Sequence, residues 1–334
     1  MKRLYSLPLK QQGVTLIELM ISLTIGLIIM VAVIGAYLGA SGAGRAAEAV
    51  GRMNEDGQAA LTILSQQLRM AGVNPTQPDR GTATGVSARG LAIPRHNNVT
   101  NAFAVRGCDL KFSDVTSAAS TVALTCGHSS SSTGPDSISI AYEVDSYNTV
   151  ANGSGVPTDC VGTGITPSTF SYTKSDGITI STTAVYEAEN RFYIGTSSYI
   201  VNPTLYCKGN GNGSTQQPLV ENIEDMQITY GVVNPANVAI SYVSLTPTFT
   251  TTLVLGYLSA NGVDTDATLT GAAGSATRWN AVKTVRICVV ARSENPVLDN
   301  IESAKYLDCS GTLVSPADKR LRRAYSTTLV LRNE

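Results

Sequence analysis

Charge is scarce in this chain: Asp, Glu, Lys and Arg make up 15% of its 334 residues, and the formal net charge is −1. An average soluble domain carries about 25%. A sequence so near neutrality has no broad positive field with which to hold a phosphate backbone, which removes the electrostatic argument for nucleic-acid binding. Histidine is scarcer still, with only His96 and His128. Both lie in polar stretches and read as solvated side chains, which leaves little material for a histidine-built metal or acid–base centre. Aromatic residues are 6%, with a single tryptophan, too few to lay a stacking track for single-stranded nucleic acid. Gly-x-Ser-x-Gly, His-Glu-x-x-His and the Walker A sequence are all missing, so hydrolase, metallopeptidase and nucleotide chemistry lack their characteristic residues. No catalytic residue, metal ligand or cofactor is expected, and the chain reads as a non-enzyme.

Four short runs invite a chemical reading and resist it. Gly209-Asn210-Gly211-Asn212-Gly213 leads into Ser-Thr-Gln-Gln rather than a helix that could point N–H groups at phosphate. Gly42-Ala43-Gly44-Arg45-Ala46-Ala47 has dinucleotide-loop spacing but no preceding strand. Asp264-Thr265-Asp266 lacks the glycine and terminal Glu of a calcium loop, and reads as a solvated turn. Lys319-Arg320-Leu321-Arg322-Arg323, the one basic cluster, reads as a solvated turn before the last strand.

What the chain does have is one long apolar run. Residues 1–13 hold Lys2, Arg3 and Lys10, no acid, and end at Gly13; Val14-Thr15-Leu16-Ile17-Glu18 follows, and then Leu19 to Gly44 without a charge. As a helix that uncharged stretch is ~39 Å long, enough to cross a hydrocarbon core of ~30 Å. The basic leader before it keeps residues 1–13 cytoplasmic and sends the body outward. All six cysteines, Cys108, Cys126, Cys160, Cys207, Cys288 and Cys309, fall in that outward part with no Cys-x-x-Cys pair, so disulfides in an oxidising compartment are expected. Six cysteines allow 15 pairings; chain order, 108–126, 160–207 and 288–309, is the simplest. An ordinary secretory signal fits poorly, because the small residue Gly13 precedes the apolar run and cleavage there leaves the run in place. Glu18 is the second oddity, since an unpaired charge inside such a run costs about 2.5–3.5 kcal/mol. It either snorkels to the headgroups or is kept for a cationic partner.

After Gly44 the pattern turns amphipathic. Val50, Met53, Gly57, Ala60, Leu64 and Leu68 share one helix face, and Gly72 and Pro75 stop the helix. Beyond Pro75 the period falls to two, giving strands over Ser137–Asp145, Asp225–Gly231, Val282–Ala291 and Thr328–Arg332. Leu219–Asp225 reads as a short helical turn leading into one of them. The expected layout is therefore α+β. It comprises a leader (1–13), a membrane-embedded helix (14–44), its amphipathic continuation (45–72) and a β-rich extracytoplasmic head (75–334), with a subdivision near 215.

The leader, Gly13, Val14-Thr15-Leu16-Ile17-Glu18-Leu19-Met20 and the long apolar helix together resemble the class III leader and N-terminal helix of type IV pilins and type II secretion pseudopilins. Leu219-Val220-Glu221-Asn222-Ile223-Glu224-Asp225-Met226-Gln227-Ile228-Thr229-Tyr230-Gly231 resembles the segment that characterises PilW-type minor pilins. Trp279–Ile287 and Leu329–Asn333 are similar to that family's later strands. The likeness covers the first 70 residues and residues 219–334; residues 76–215 resemble nothing familiar. The family's usual first mature residue is Phe, where Val14 stands here, a departure that leans towards a minor subunit. The resemblance implies cleavage between Gly13 and Val14 by a prepilin peptidase, N-methylation of Val14, and Glu18 as the assembly carboxylate. It also implies a minor pilin that primes a type IV pilus with other minor pilins, the major pilin and a tip adhesin, at or near the tip. Such a subunit stands in the inner membrane before assembly and on the cell surface after it. The alternatives are the large pseudopilin of a type II secretion system or, from another class, a signal-anchored envelope enzyme or binding protein.

Overall fold

The computed structural model describes residues 13–73, 104–113, 115, 124–127, 134–145, 147–173, 178–233, 254–266 and 275–332; His96 and His128 lie outside them. By contacts the chain forms two units, Met1–Ala49 and Val50–Glu334. One helix, α1 (Leu16–Met70), carries the whole apolar run and its amphipathic continuation. Thr15 begins it: the Glu18 N–H donates to the Thr15 hydroxyl at 3.3 Å and to its carbonyl at 3.1 Å. This is an N-cap with Glu at the third helical position, the spacing of a capping box. Gly72 ends it in the left-handed region (φ +75°), and its N–H donates to the Ala141 carbonyl at 3.1 Å, handing the chain to the head.

Among the described residues the head is built on two larger antiparallel sheets and a short hairpin. The first joins β1 (Val105–Cys108), β2 (Ser137–Val144), β4 (Ile180–Gly195), β5 (Thr204–Lys208) and β6 (Gln217–Glu221) in that order, with β3 (Ser168–Thr173) pairing the first part of β4. Next along the chain come β7 (Ile223–Val233), β8 (Val254–Leu258), α2 (Ala260–Thr265), α3 (Ser275–Asn280) and β9 (Val282–Arg292). The short hairpin of β10 (Tyr306–Leu307) and β11 (Leu313–Val314) then precedes β12 (Arg322–Val330). The second sheet has the order β12-β9-β7-β8.

The amphipathic part of α1 packs into this head. Met53, Gly57, Ala60, Leu61, Leu64 and Leu68 are buried, each large one contributing about 1.5–3 kcal/mol of transfer free energy, whereas Val50 is 36% exposed at the margin. Gly57 is required by closeness: a Cβ there would stand 2.5 Å from the Tyr325 ring. Polar bonds fix the register. The Tyr325 hydroxyl donates to Asn54, and the Gln67 amide oxygen accepts from Asn190 at 2.8 Å and from the Tyr142 hydroxyl at 3.2 Å. The helix is thus pinned to both sheets.

Three sequence expectations are corrected. Leu219–Asp225 is not a helical turn but the junction of β6 and β7, where Asn222 takes φ +62°. Asn tolerates that region better than most residues, and the corner lets Val220 and Ile223 both point inward. Asp264 is no solvated turn: it lies in the last turn of α2, pairs with Arg106, and accepts the Trp279 indole N–H at 2.9 Å. Nor is Arg322 solvated. Only 5% exposed, it donates to Asp318 at 2.6 and 2.9 Å and to Glu224 at 2.5 and 3.2 Å, and these bonds hold the Asp318 carboxyl down at about 2.

Three disulfides join Cys108–Cys126, Cys160–Cys207 and Cys288–Cys309, with Cα separations of 5.3, 6.5 and 5.7 Å. The second clamps the loop over 149–164 onto β5. Beside it, Gly209 and Gly211 let the chain pass Asp159, whose carboxylate accepts the Gly211 N–H at 2.9 Å; a Cβ on Gly209 would meet that carboxylate at 2.1 Å.

Candidate functional site

At the start of α1 the side chains are turned out. Val14, Leu16 and Ile17 are 67–77% exposed, and the large apolar side chains on to Leu38 are all at least half exposed. A surface this apolar and continuous is stable only in lipid or against other apolar helices. Its serine and threonine hydroxyls are satisfied internally: Ser22 donates to the Glu18 carbonyl at 2.7 Å, Thr24 to Ile21 at 2.9 Å and Ser41 to Leu38 at 3.0 Å. That back-bonding is how a hydroxyl tolerates hydrocarbon.

Glu18 sits in the first turn, where the helix dipole favours a carboxylate, and Val14 precedes it by four residues, about one turn. Gly13 has open space where a Cβ would project, so no contact among the described residues calls for glycine there. The cap at Thr15 was missed by sequence reasoning, although Thr15-x-x-Glu18 is its visible signal. The cap uses the backbone N–H of Glu18 and leaves its carboxylate for a partner outside the chain or for the headgroups.

The head holds a second feature that the sequence did not expose. Asp136, 7% exposed, joins the sheets: its carboxylate accepts from the Ile228 N–H at 2.7 Å and the Leu110 N–H at 3.2 Å, and its own N–H donates to the Met226 carbonyl at 2.7 Å. Burial pushes this carboxyl up to about 7 against the opposing pull of those two N–H groups. Nearby, the Tyr230 ring meets Trp279 edge-on at 4.8 Å, and Gly107 is kept small because a Cβ would strike the Tyr230 hydroxyl. Pro135-Asp136-Ser137 gives no sequence signal for this clasp. Among the described residues no three His, Cys, Asp or Glu side chains gather as a metal site.

The prokaryotic N-terminal methylation motif matches residues 8–34, and the PilW family, described as type IV pilus-assembly protein W, matches residues 191–333. No curated protein and no solved structure matches the chain. The first match covers the start of α1 and the second runs from the end of β4 through both edges of the second sheet. The chain is therefore a pilin-like protein related to the type IV pilus: a prepilin-type N-terminus heads α1, and residues 191–333 of the head are similar to the PilW family.

Proposed function

We propose that the protein is a minor pilin that joins other minor pilins in a complex priming fibre assembly and resides at or near the tip. The observation that carries this is the pairing, in one chain, of an exposed charge-free helix headed by the methylation motif with a head that matches PilW. The helix supplies the module that any fibre subunit needs, and the PilW-type head supplies the specialised part. In this reading residues 1–13 are a leader removed between Gly13 and Val14, and the new Val14 amine is methylated. The head is extracytoplasmic, and the protein stands in the inner membrane until it is drawn into the fibre. The role is structural, without catalysis.

The partners are then the prepilin peptidase, the other minor pilins, the major pilin and a tip adhesin. Two experiments test the reading. Mass spectrometry of the membrane-extracted protein is expected to find an N-terminal peptide beginning with methylated Val14; an intact Met1 or a cut after Gly44 contradicts it. Deletion of the gene is expected to abolish surface fibres, with restoration by the gene supplied in trans. Loss of protein secretion with fibres intact would instead favour the pseudopilin role.

A further inference from the structure

β12 is an edge strand, pairing with β9 and with no other strand among the described residues. Two bonds set the phase of its ladder: Leu331 N–H donates to Lys283 and Ser293 N–H to Leu321. Hydrogen-bonded and non-bonded positions alternate along an antiparallel pair. The odd-numbered residues of the strand therefore turn their backbone groups to β9, while Ala324, Ser326 and Thr328 turn theirs away. Such a row of donors and acceptors templates another strand, and proteins ordinarily blunt it with charge, proline or a bulge. The edge strand β6 carries Pro218, and β8 has a bulge where it pairs with β7. Ala324–Leu331 carries none of these: it is uncharged, free of proline, and in regular register with β9.

Beside this edge runs a groove of about 460 Å³, walled by Gln58, Thr62, Ser65 and Gln66 of α1 and by Ser326 and Thr327 of β12. Its walls are polar and mostly uncharged, suited to a peptide backbone. The helix wall from Gln58 to Arg69 spans ~16 Å, which is the length of about five residues of strand. We propose that the outer edge of β12 is a strand-addition site, filled in the assembled fibre by an extended, uncharged segment of another pilin-like subunit. The hydrogen-bond pattern of the edge specifies an extended backbone. The wall of the groove belongs to the same helix whose first half is to lie among neighbouring subunits' helices, so such a subunit is the chain brought within reach. The partner's identity thus rests on the function proposed above.

The test uses the full-length protein in cells. Thr328→p-benzoylphenylalanine is expected to cross-link, on irradiation, to an extended stretch of a different prepilin-type chain, located by peptide sequencing. Ser326→Pro deletes an outward N–H without costing a bond to β9, the situation in which an edge tolerates proline. It is expected to cut the cross-link by about tenfold or more, while Ser326→Ala keeps it. An undiminished cross-link in Ser326→Pro overturns the proposal. So does equal loss in Ser326→Ala, which would mark a side-chain contact, and so does a cross-link only to a second copy of this chain. Should Ser326→Pro lower the melting temperature, amide exchange of the unaltered protein decides. Protection of Ala324, Ser326 and Thr328 in extracted complexes but not in the isolated protein supports strand addition, and equal exchange in both refutes it. A gene-deletion strain that still makes fibres refutes the proposed function while the cross-link is judged by itself. Fibres lost on deletion with a cross-link indifferent to proline refute the edge alone.

Discussion

Between about pH 4 and about pH 8 the protein is expected to lose stability as Asp136 ionises. Its carboxyl is buried between the two sheets and raised from 3.8 to about 7. The folded state therefore holds a proton that the unfolded chain has already released, and stability falls with rising pH over that window. The contribution is fully present below the unfolded value and is lost as pH passes the folded one. At about 1.4 kcal/mol per pH unit, a separation of about 3 units sets a ceiling of ~4 kcal/mol. Asp56 and Asp225, also raised by burial, act in the same direction. Asp318, held at about 2 by Arg322, acts oppositely, but its contribution is lost only at pH values below this window. The assay is urea unfolding of the detergent-solubilised, disulfide-intact protein at a series of pH values. Asp136→Asn gives up one of two accepted N–H bonds, about 1 kcal/mol, but should flatten most of the slope. An identical slope in Asp136→Asn and the parent, or stability that rises from about pH 4 to about pH 7, refutes the reasoning.

Gly57→Ala forces a Cβ against the Tyr325 ring and is expected to cost about 1–3 kcal/mol by overpacking, read as a lower urea midpoint and partly recovered by adding Tyr325→Leu. Leu64→Ala, at a fully buried position, should cost about 2–5 kcal/mol with no change in membrane insertion, checked by unfolding and membrane fractionation. The Cys160–Cys207 bridge closes the longest of the three loops, with a sequence separation of 47. Replacing both cysteines by serine should therefore cost about 4 kcal/mol in the chain-entropy model, while non-reducing peptide maps still recover Cys108–Cys126 and Cys288–Cys309.

The α+β layout was legible because it rests on periodicity. The charge-free run and the stripe of Met53, Gly57, Ala60, Leu64 and Leu68 lie in one helix, and the alternation in Ser137–Val144 and the continuous apolar run over Val282–Ala291 lie in strands. Three features were illegible because they depend on partners far along the chain. Asp264 became structural through Arg106 and Trp279, and Arg322 was drawn inside by Glu224, 98 residues away. Asp136 gained its place from backbone N–H groups on β7 and in the Leu110 turn. Leu219–Asp225 misled because acids at short spacing imitate a helix face, whereas the left-handed Asn222 makes a corner between two sheets. At the N-terminus the run, the basic leader and Glu18 were visible at once. The cap at Thr15 is harder to read, because Thr15-x-x-Glu18 lies inside an apolar run whose other residues carry no helix-start signal.

Glu18→Gln tests the central claim most directly. Cleavage after Gly13 would create an ammonium at Val14, one turn before Glu18, in or near a medium where an unpaired ion is costly. Pairing of that amine with a neighbouring subunit's carboxylate, or of Glu18 with a neighbour's amine, would set the axial register of one helix against the next. Glutamine keeps the size and polarity and removes the charge. The variant is expected to insert in the membrane, to be cleaved after Gly13, and to reach normal levels, yet to leave cells without fibres by electron microscopy. Fibres in normal number from Glu18→Gln, with the processed protein incorporated, would contradict the account and leave Glu18 as a carboxylate snorkelling to the headgroups.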